Sequence, residues 1–171
     1  VGIDVNFFKP DFSINKKPNS ILFLGRIDPV KNVDVFIEIL KMLKNEGIEF
    51  SATIAGRSSQ EHTGYGKNIH DKIVEYGLNE RVEFLGKVNQ DGTLKLYREH
   101  ELYVNLTLSG SMDKTIIEAL ASGSKVLVSN SFFKNKLPKN SFADIEDKED
   151  LVSKIKYNLS NNVSYNLDIQ G

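Results

Sequence analysis

Short apolar runs alternate with amphipathic helical patterns along most of this chain, and that alternation is the strongest constraint on its fold. The first run, residues 21–24, ends at Gly25, and the residues after it place apolar side chains on one side at a helical spacing. Further strands are predicted at 50–55, 81–86, 102–106 and 125–130, with a weaker one at 141–145 and helices between them.

These runs lack the polar alternation of a half-exposed strand, so they predict strands buried on both faces, as in a parallel sheet. Right-handed crossovers would then place helices on both sides of that sheet. We therefore predict an α/β fold, doubly wound, with a mostly parallel sheet of five or six strands that is Rossmann-like.

Composition narrows the class of protein. A chain of 171 residues, 40% apolar and 26% charged, matches one globular domain. The net charge of -1 argues against a nucleic-acid partner. Because there is no cysteine, disulfides and thiolate metal sites are excluded. No apolar run reaches the roughly 20 residues that a membrane span needs, so none is predicted. The start, "VGIDVNFFKP", is unlike a signal peptide and lacks a methionine, so we expect a piece of a longer protein.

In an open parallel sheet, ligands bind beyond the carboxyl ends of the strands, and the loop "GRIDPVKN" at 25–32 lies at such an end. Gly25 allows a sharp turn, after which Arg26 and Lys31 lie close enough in the loop to converge on a pair of phosphates. Taken alone, however, the loop is explained more simply by two solvated cations.

The stretch "SGSMDKTIIEALASG" at 109–123 follows the fourth predicted strand. Ser109, Gly110 and Ser111 would place free backbone N–H groups at a helix start, where the helix dipole attracts anions. The simpler alternative is that Ser111 caps the helix and Asp113 stabilises its first turn. In that case the Asp113 carboxylate would compete with a bound phosphate.

Glu118 lies on the side of the same helical wheel opposite to Ile116, Ile117 and Leu120, among small residues. A carboxylate in such a crevice would accept hydrogen bonds from paired sugar hydroxyls. A solvated glutamate on an amphipathic helix is the commoner case and remains the alternative.

Four segments in order resemble the C-terminal, donor-binding domain of group 1 retaining glycosyltransferases, which have the GT-B fold. "VGIDVNFFKP" is similar to an interdomain segment N-G-[IV]-D-x-x-x-F-x-P. "ILFLGRIDPVKNVDVFIEIL" contains the G-R-x-x-x-x-K signature, and "IVEYGLNERVEFLGKV" is similar to L-G-L-x-x-x-V-x-F-x-G-x-V. "LYVNLTLSGSMDKTIIEALASGSKVLVSN" is similar to P-S-x-x-E-G-F-G-x-x-x-x-E-A-M-A-x-G-x-P-V.

This resemblance implies three parts: an interdomain segment at 1–19, a nucleotide-sugar donor-binding domain at 20–160 and an irregular tail at 161–171. It assigns the donor diphosphate to Arg26 and Lys31, which follow Gly25, and the donor ribose to Glu118. It places helix-start amides beneath the phosphates, at Ser111, Met112, Asp113, Lys114 and Thr115. It places the backbone of Lys87 and Val88 beside the nucleotide base, and Gly110 at a position that meets the donor sugar.

Two departures from the family pattern concern the donor sugar and the acceptor. The first glutamate of the usual pair would fall at Gly110, and Asp113 replaces a glycine, so we expect Asp113 or Lys114 to contact the sugar in part. The usual glycine-rich loop after the fifth strand is shortened into residues 131–145.

The resemblance implies retaining transfer of a sugar from a nucleotide-diphosphate sugar to a glycan or lipid-linked acceptor. Arg26, Lys31 and the helix start would stabilise the departing diphosphate, without a metal and with no cofactor besides the donor substrate. The acceptor site would belong to a missing N-terminal domain, so the isolated domain is expected to be inactive. A cytoplasmic location follows from the family, with any membrane contact made through the absent domain.

Two alternatives remain open at this stage. One is a nucleotide-sugar-binding module without catalysis, and the other is an unrelated flavodoxin-like interaction domain. Neither dinucleotide nor P-loop glycine fingerprints occur. His62, His70 and His100 are expected to be solvated and are assigned no role, and residues 64–68, "GYGKN", are predicted to form a surface loop.

Overall fold

The computed structural model describes residues 2–166, which form a single sheet with five main helices. The strands are β1 (Ser20–Leu24), β2 (Ser51–Ala55), β3 (Val82–Gly86), β4 (Leu102–Asn105) and β5 (Lys125–Val128). The helices are α1 (Val33–Asn45), α2 (Thr63–Glu75), α3 (Gln90–Glu99), α4 (Lys114–Ala121) and α5 (Lys148–Ser160). Short 3-10 turns cover Pro29–Lys31, Gln60–His62, Ser131–Phe133 and Lys139–Ser141.

All strand pairs are parallel, and their order across the sheet is β3-β2-β1-β4-β5. The predicted doubly wound, parallel α/β fold is therefore confirmed, with five strands. The predicted sixth strand at 141–145 is reduced to one bridge between Val128 and Phe142. The Lys139–Ser141 turn leads directly into this bridge, and the Ser129 hydroxyl then donates to the Ala143 carbonyl. Phe142 therefore pairs with β5 at one point only.

Each face of the sheet has its own apolar core. On one face, α1, α2 and α5 pack on alternate strand residues such as Ile21, Phe23 and Ile54. On the other face, α3 and α4 pack on Leu22 and Tyr103. These two layers exclude water from β1, β2, β4 and β5, whose residues are nearly all buried. The prediction of burial on both faces is wrong for the edge strand β3, where Glu83 and Leu85 are exposed.

The two ends of the described chain add to this domain. Phe8 in the predicted interdomain segment is buried in the α3–α4 core, and Lys16 donates from Nζ to carbonyls at the end of α3. In the predicted tail, the Tyr165 hydroxyl accepts a hydrogen bond from the Val126 amide of β5 at 3.0 Å. Residue 1 and residues 167–171 of these two segments lie outside the described residues.

Two local predictions were wrong. Residues 64–68 belong to α2 instead of a surface loop, because Tyr65 packs against the α1 core and donates to Asp34 at 2.8 Å. Gly66 permits close approach to Ser58, whose Oγ would be 2.0 Å from an added Cβ. His100 is buried, with its ring nitrogens bonded to the Leu96 carbonyl and the Thr53 hydroxyl. Tertiary contacts thus override the polar local sequence.

Candidate functional site

The candidate site lies at the carboxyl ends of β1 and β4, which are neighbours in the sheet. From β1 the chain proceeds outward to β2 and β3, whereas β4 and β5 lie on the other side, so the strand order reverses between β1 and β4. Such a reversal opens a crevice between the loops that leave the two strands. Asn32, at the end of the first loop, donates from Nδ2 to the Leu106 carbonyl at 2.8 Å, which joins the two loops.

The loop after β1 turns sharply against the loop after β2. Gly25 and Gly56 have φ values of 145° and 143°, and a Cβ added at Gly56 would lie only 1.8 Å from the Gly25 carbonyl oxygen. The Lys31 side chain lies along Gly25, with Cε 3.5 Å from the position of a Cβ there. Only glycine fits at Gly56, because any Cβ there would overlap the Gly25 carbonyl, whereas at Gly25 the contact with Lys31 is an ordinary one and the positive φ is what favours glycine.

Arg26 points into solvent from the same loop, with 70% of its side chain exposed. Its Nε forms an ion pair with Oδ2 of Asp28 at 3.4 Å. Asp28 itself is only 3% exposed, and its Oδ1 has no hydrogen-bond partner among residues 2–166. An exposed guanidinium thus lies beside a buried, half-satisfied carboxylate, an arrangement that the sequence did not lead us to expect.

The helix start predicted near Ser111 lies slightly later in the structure. α4 begins at Lys114, and its N-cap is Asp113, whose Oδ1 accepts hydrogen bonds from the Thr115 amide at 3.0 Å and the Thr115 hydroxyl at 2.6 Å. The proposal that Ser111 caps the helix was therefore wrong. Because a carboxylate already occupies one helix-start amide, it offsets part of the positive end of the helix dipole.

Two buried asparagines hold the loop before α4, and the sequence reasoning missed both. Asn105 ends β4, and its Nδ2 lies 3.0 Å from Asp113 Oδ2 and 3.1 Å from the Tyr103 hydroxyl. Asn130, just beyond β5, donates to the Ser111 carbonyl at 2.7 Å. Their position at the carboxyl ends of two adjacent strands is the signal that could have identified them.

The remaining residues of this loop differ in exposure. Gly110, Ser111 and Lys114 are exposed, whereas Met112 packs against the α3–α4 core. Gly110 has a φ of 71°, in the left-handed region that favours glycine. A side chain at Gly110 would therefore strain this backbone.

Glu118 lies one turn into α4 and is half-buried. Burial raises the pKa of its carboxyl above the ordinary value, the nearby Tyr97 hydroxyl opposes that rise in part, and the Asp113 charge adds to it. The neighbouring phenol of Tyr97 is buried and donates to the Thr115 carbonyl at 3.2 Å. Glu118 is therefore neither a freely solvated side chain nor a member of the apolar core.

Lys87 and Val88 follow β3, at the same end of the sheet but two strand positions from β1. Lys87 is exposed, and Val88 packs partly against the α3–α4 core. The Gly56 amide donates to the Gly86 carbonyl at 2.7 Å, which links the loops after β2 and β3. All the residues predicted from the sequence therefore lie at one end of the sheet, and their binding roles stay predictions.

Two structural features are absent over residues 2–166. No group of three or more His, Cys, Asp or Glu side chains in that range is arranged to hold a metal ion. Within the same described range, none of the helices combines the length and apolarity that crossing a membrane requires.

Comparison with known proteins identifies the family. The sequence profile of "Glycosyl transferases group 1" matches residues 4–168. The lipopolysaccharide core biosynthesis mannosyltransferase LpcC of Rhizobium leguminosarum bv. viciae is 31% identical over 108 residues, 63% of this chain and 30% of that protein. The D-inositol 3-phosphate glycosyltransferase of Mycobacteroides abscessus is 25% identical over 134 residues, 74% of this chain and 29% of that protein. The chain thus spans less than a third of the length of these relatives.

Solved structures agree with this assignment. The C-terminal domain of the group 1 glycosyl transferase LpcC from Francisella tularensis has a TM-score of 0.78 at 20% identity and covers 94% of this chain and 89% of that one. The catalytic domain of the cholesterol-α-glucosyltransferase from Helicobacter pylori has a TM-score of 0.70 at 25% identity, with 85% and 88% covered. The solved structures show the shared fold, and the profile match over residues 4–168 shows that the chain belongs to the group 1 glycosyl transferase family.

Proposed function

We propose that the chain is the donor-binding half of a glycosyltransferase that uses a nucleotide-diphosphate sugar. The observation that most strongly supports this role is the meeting of two loops at the point of strand reversal. One loop supplies the cations Arg26 and Lys31, and the other supplies the start of α4. Cations and helix-start amides are the groups that bind phosphates in proteins.

In the proposed reaction, the bond between the anomeric carbon of the donor sugar and the diphosphate oxygen breaks, and the diphosphate leaves with the electron pair. The acceptor hydroxyl forms the new bond on the same face of the sugar, so configuration is retained, and its proton passes to the departing diphosphate oxygen. Arg26 and Lys31 stabilise the charge that develops on the leaving group, a role that a metal ion fills elsewhere. Glu118 accepts hydrogen bonds from the ribose hydroxyls, and the backbone at Lys87 and Val88 borders the base.

Asp113 is a less suitable sugar contact than the sequence suggested. Both of its carboxylate oxygens are engaged, Oδ1 by Thr115 and Oδ2 by Asn105. Lys114 is exposed on the first turn of α4. We therefore assign to Lys114, and not to Asp113, the part of the sugar contact that Gly110 cannot make.

The acceptor is proposed to be a glycan or a lipid-linked sugar, bound by an N-terminal domain outside this chain. The names of the relatives support this, because they include mannosyltransferases of lipopolysaccharide core biosynthesis. Such a protein would work in the cytoplasm, with any membrane contact made by the other domain.

A thermal-shift panel of UDP-, GDP- and ADP-sugars tests donor binding. A ligand that binds only the folded chain raises its melting temperature, by an amount that grows with ligand concentration. Arg26→Ala should abolish the shift, measured against the variant's own ligand-free melting temperature. That ligand-free temperature should itself fall, because the buried Asp28 carboxylate loses its ion-pair partner. Arg98→Ala is the matched control, since Arg98 lies in the last turn of α3 at the opposite end of the sheet. A panel without any shift, or a shift that survives Arg26→Ala, would contradict the proposal.

A nucleotide-sugar-binding module without catalysis remains the second candidate, because Gly110 stands where the family has a glutamate. Consumption of the donor by the full-length protein in the presence of an acceptor separates the two. Membership in the family excludes the other alternative, an unrelated flavodoxin-like interaction domain.

A further inference from the structure

The carboxylate of Asp28 is the least satisfied buried group near the proposed donor site. Its Oδ2 pairs with Arg26 Nε at 3.4 Å, while its Oδ1 lacks a hydrogen-bond partner within residues 2–166. A buried carboxylate oxygen without a donor costs free energy. The residue also shapes the loop, because its backbone carbonyl accepts a hydrogen bond from the Lys31 amide at 3.1 Å. Nothing in the apolar core accounts for a carboxylate at this position.

Arg26 is the group that can satisfy Asp28 Oδ1. A guanidinium has five N–H donors in a planar fork that matches both oxygens of a carboxylate. Nε already faces Oδ2 at 3.4 Å, and side-on pairing requires a rotation about the last side-chain bonds that places an Nη donor on Oδ1. The Arg26 side chain is free to make this rotation because 70% of it is exposed. Two donors would then face Asp28, and three would remain on the outer side of the fork.

We propose that Asp28 is a positioning residue, which holds the Arg26 guanidinium side-on so that its outer N–H groups face the diphosphate of the donor. This inference rests on the proposed function. An unrestrained arginine loses its side-chain freedom when it binds a phosphate, and prior pairing with a buried carboxylate lowers that loss. The Asp28 charge also repels the diphosphate, but its ion pair with Arg26 offsets part of that repulsion, so the expected net effect of Asp28 is tighter binding.

A double-mutant cycle on nucleotide binding tests this role. The affinity of the chain for UDP, GDP and ADP is measured by NMR titration, which remains quantitative for weak binding. Asp28→Asn, Arg26→Ala and the double variant are compared with the unchanged chain for the nucleotide that binds tightest. We expect Asp28→Asn to weaken binding by about tenfold. In the Arg26→Ala background, the same change should have no further effect, because the residue that Asp28 positions is gone.

Two further measurements separate positioning from a structural role. The melting temperature of Asp28→Asn without nucleotide should be unchanged or raised, since the variant removes a buried charge that lacks one partner. Glu49→Gln is the matched control. Glu49 lies shortly before β2 and forms an ion pair with Arg81, which lies just before β3; Glu49 Oε1 is 3.9 Å from Arg81 Nη2. Both residues are at the opposite end of the sheet. Glu49→Gln should leave nucleotide affinity unchanged.

Each outcome decides between the two claims. Equal losses in both backgrounds, no loss, or tighter binding by Asp28→Asn would overturn the positioning role while the proposed function stands. Loss of affinity that follows a lowered melting temperature would also overturn it, because misfolding would explain the result. An unchanged chain that binds none of the three nucleotides overturns the proposed function, and the inference with it.

Discussion

The two ends of the sheet use charged side chains in opposite ways. At the amino end, Lys16 donates from Nζ to the carbonyls of Tyr97, Arg98 and His100, at 3.0 to 3.1 Å. At the carboxyl end, Arg26 is mostly exposed and Asp28 has an oxygen without a partner among the described residues. Lys16 at the first end completes the fold, whereas Arg26 and one oxygen of Asp28 at the second end lack such partners within residues 2–166. The difference separates residues needed for stability from residues available to a ligand.

The largest loss of stability is expected when Lys16, at the amino end of the sheet, is changed. Its Nζ donates to the Tyr97 and Arg98 carbonyls at the end of α3, which have no donor within the helix. Burial lowers the pKa of the Lys16 ammonium group. Lys16→Met should lower the free energy of unfolding by about 2 to 3 kcal/mol. Urea denaturation measures the change. The matched control is Lys17→Met, because 55% of the Lys17 side chain is exposed, and it should change stability by less than about 0.5 kcal/mol. Equal effects would refute the distinction.

A smaller loss of stability is expected when Asn105 is changed. This variant tests whether buried hydrogen bonds at the carboxyl end hold the loop before α4 in place. Asn105→Ala removes donors near Asp113 and the Tyr103 hydroxyl and leaves the Thr107 amide without its acceptor. The free energy of unfolding should fall by about 2 kcal/mol. Nucleotide affinity should fall as well, because the loop before α4 loses its support. Ser109→Ala, in the exposed part of that loop, is the control. If Asn105→Ala left the free energy of unfolding unchanged, the hydrogen bonds of Asn105 would not be needed to hold the loop.

The smallest change in the free energy of unfolding is expected when Glu118 is changed, and it should be a gain in stability instead of a loss. Burial raises the pKa of its carboxyl in the folded chain, so the folded state holds this proton more readily than the unfolded state. Stability from this source is present below the unfolded pKa of about 4.5 and is lost as pH rises through the raised value. Glu118→Gln should therefore stabilise the free chain at pH 7 by less than about 1 kcal/mol, with no difference at pH 4.

The same variant should bind nucleotide less tightly if Glu118 holds the ribose. If the variant is more stable and also binds nucleotide less tightly, Glu118 contributes to binding while lowering the stability of the folded chain. A Glu118→Gln variant that is less stable at pH 7 would instead place the side chain among the residues that support the structure.

The five strands were predictable because each is a short apolar run bounded by glycine or polar residues. Helices α1 and α5 were predictable because their apolar residues recur at a helical period. The start of α2 was not, since Gly64 and Gly66 are poor helix formers and only the contact of Tyr65 with Asp34 reveals the helix. The burial of His100 depends likewise on a partner 47 residues away, Thr53. No local pattern contains such information.

The candidate site divides in the same way. Arg26, Lys31 and Glu118 could be chosen from the sequence because a motif with fixed spacing names them. Asp28, Asn105 and Asn130 could not, because their importance lies in burial and in partners on other strands. Sequence reasoning therefore finds the side chains that would meet a ligand more readily than the ones that hold those side chains in place.

Tyr165 has a consequence for the behaviour of the chain in solution. β5 is the last strand of the sheet, and an outer strand offers unused amides and carbonyls to any strand of a second molecule. By accepting the Val126 amide, the Tyr165 hydroxyl occupies one of these groups, and its ring packs beside the strand. A chain cut before Tyr165 would keep its sheet and its loops, but it would leave that border open to edge-to-edge aggregation.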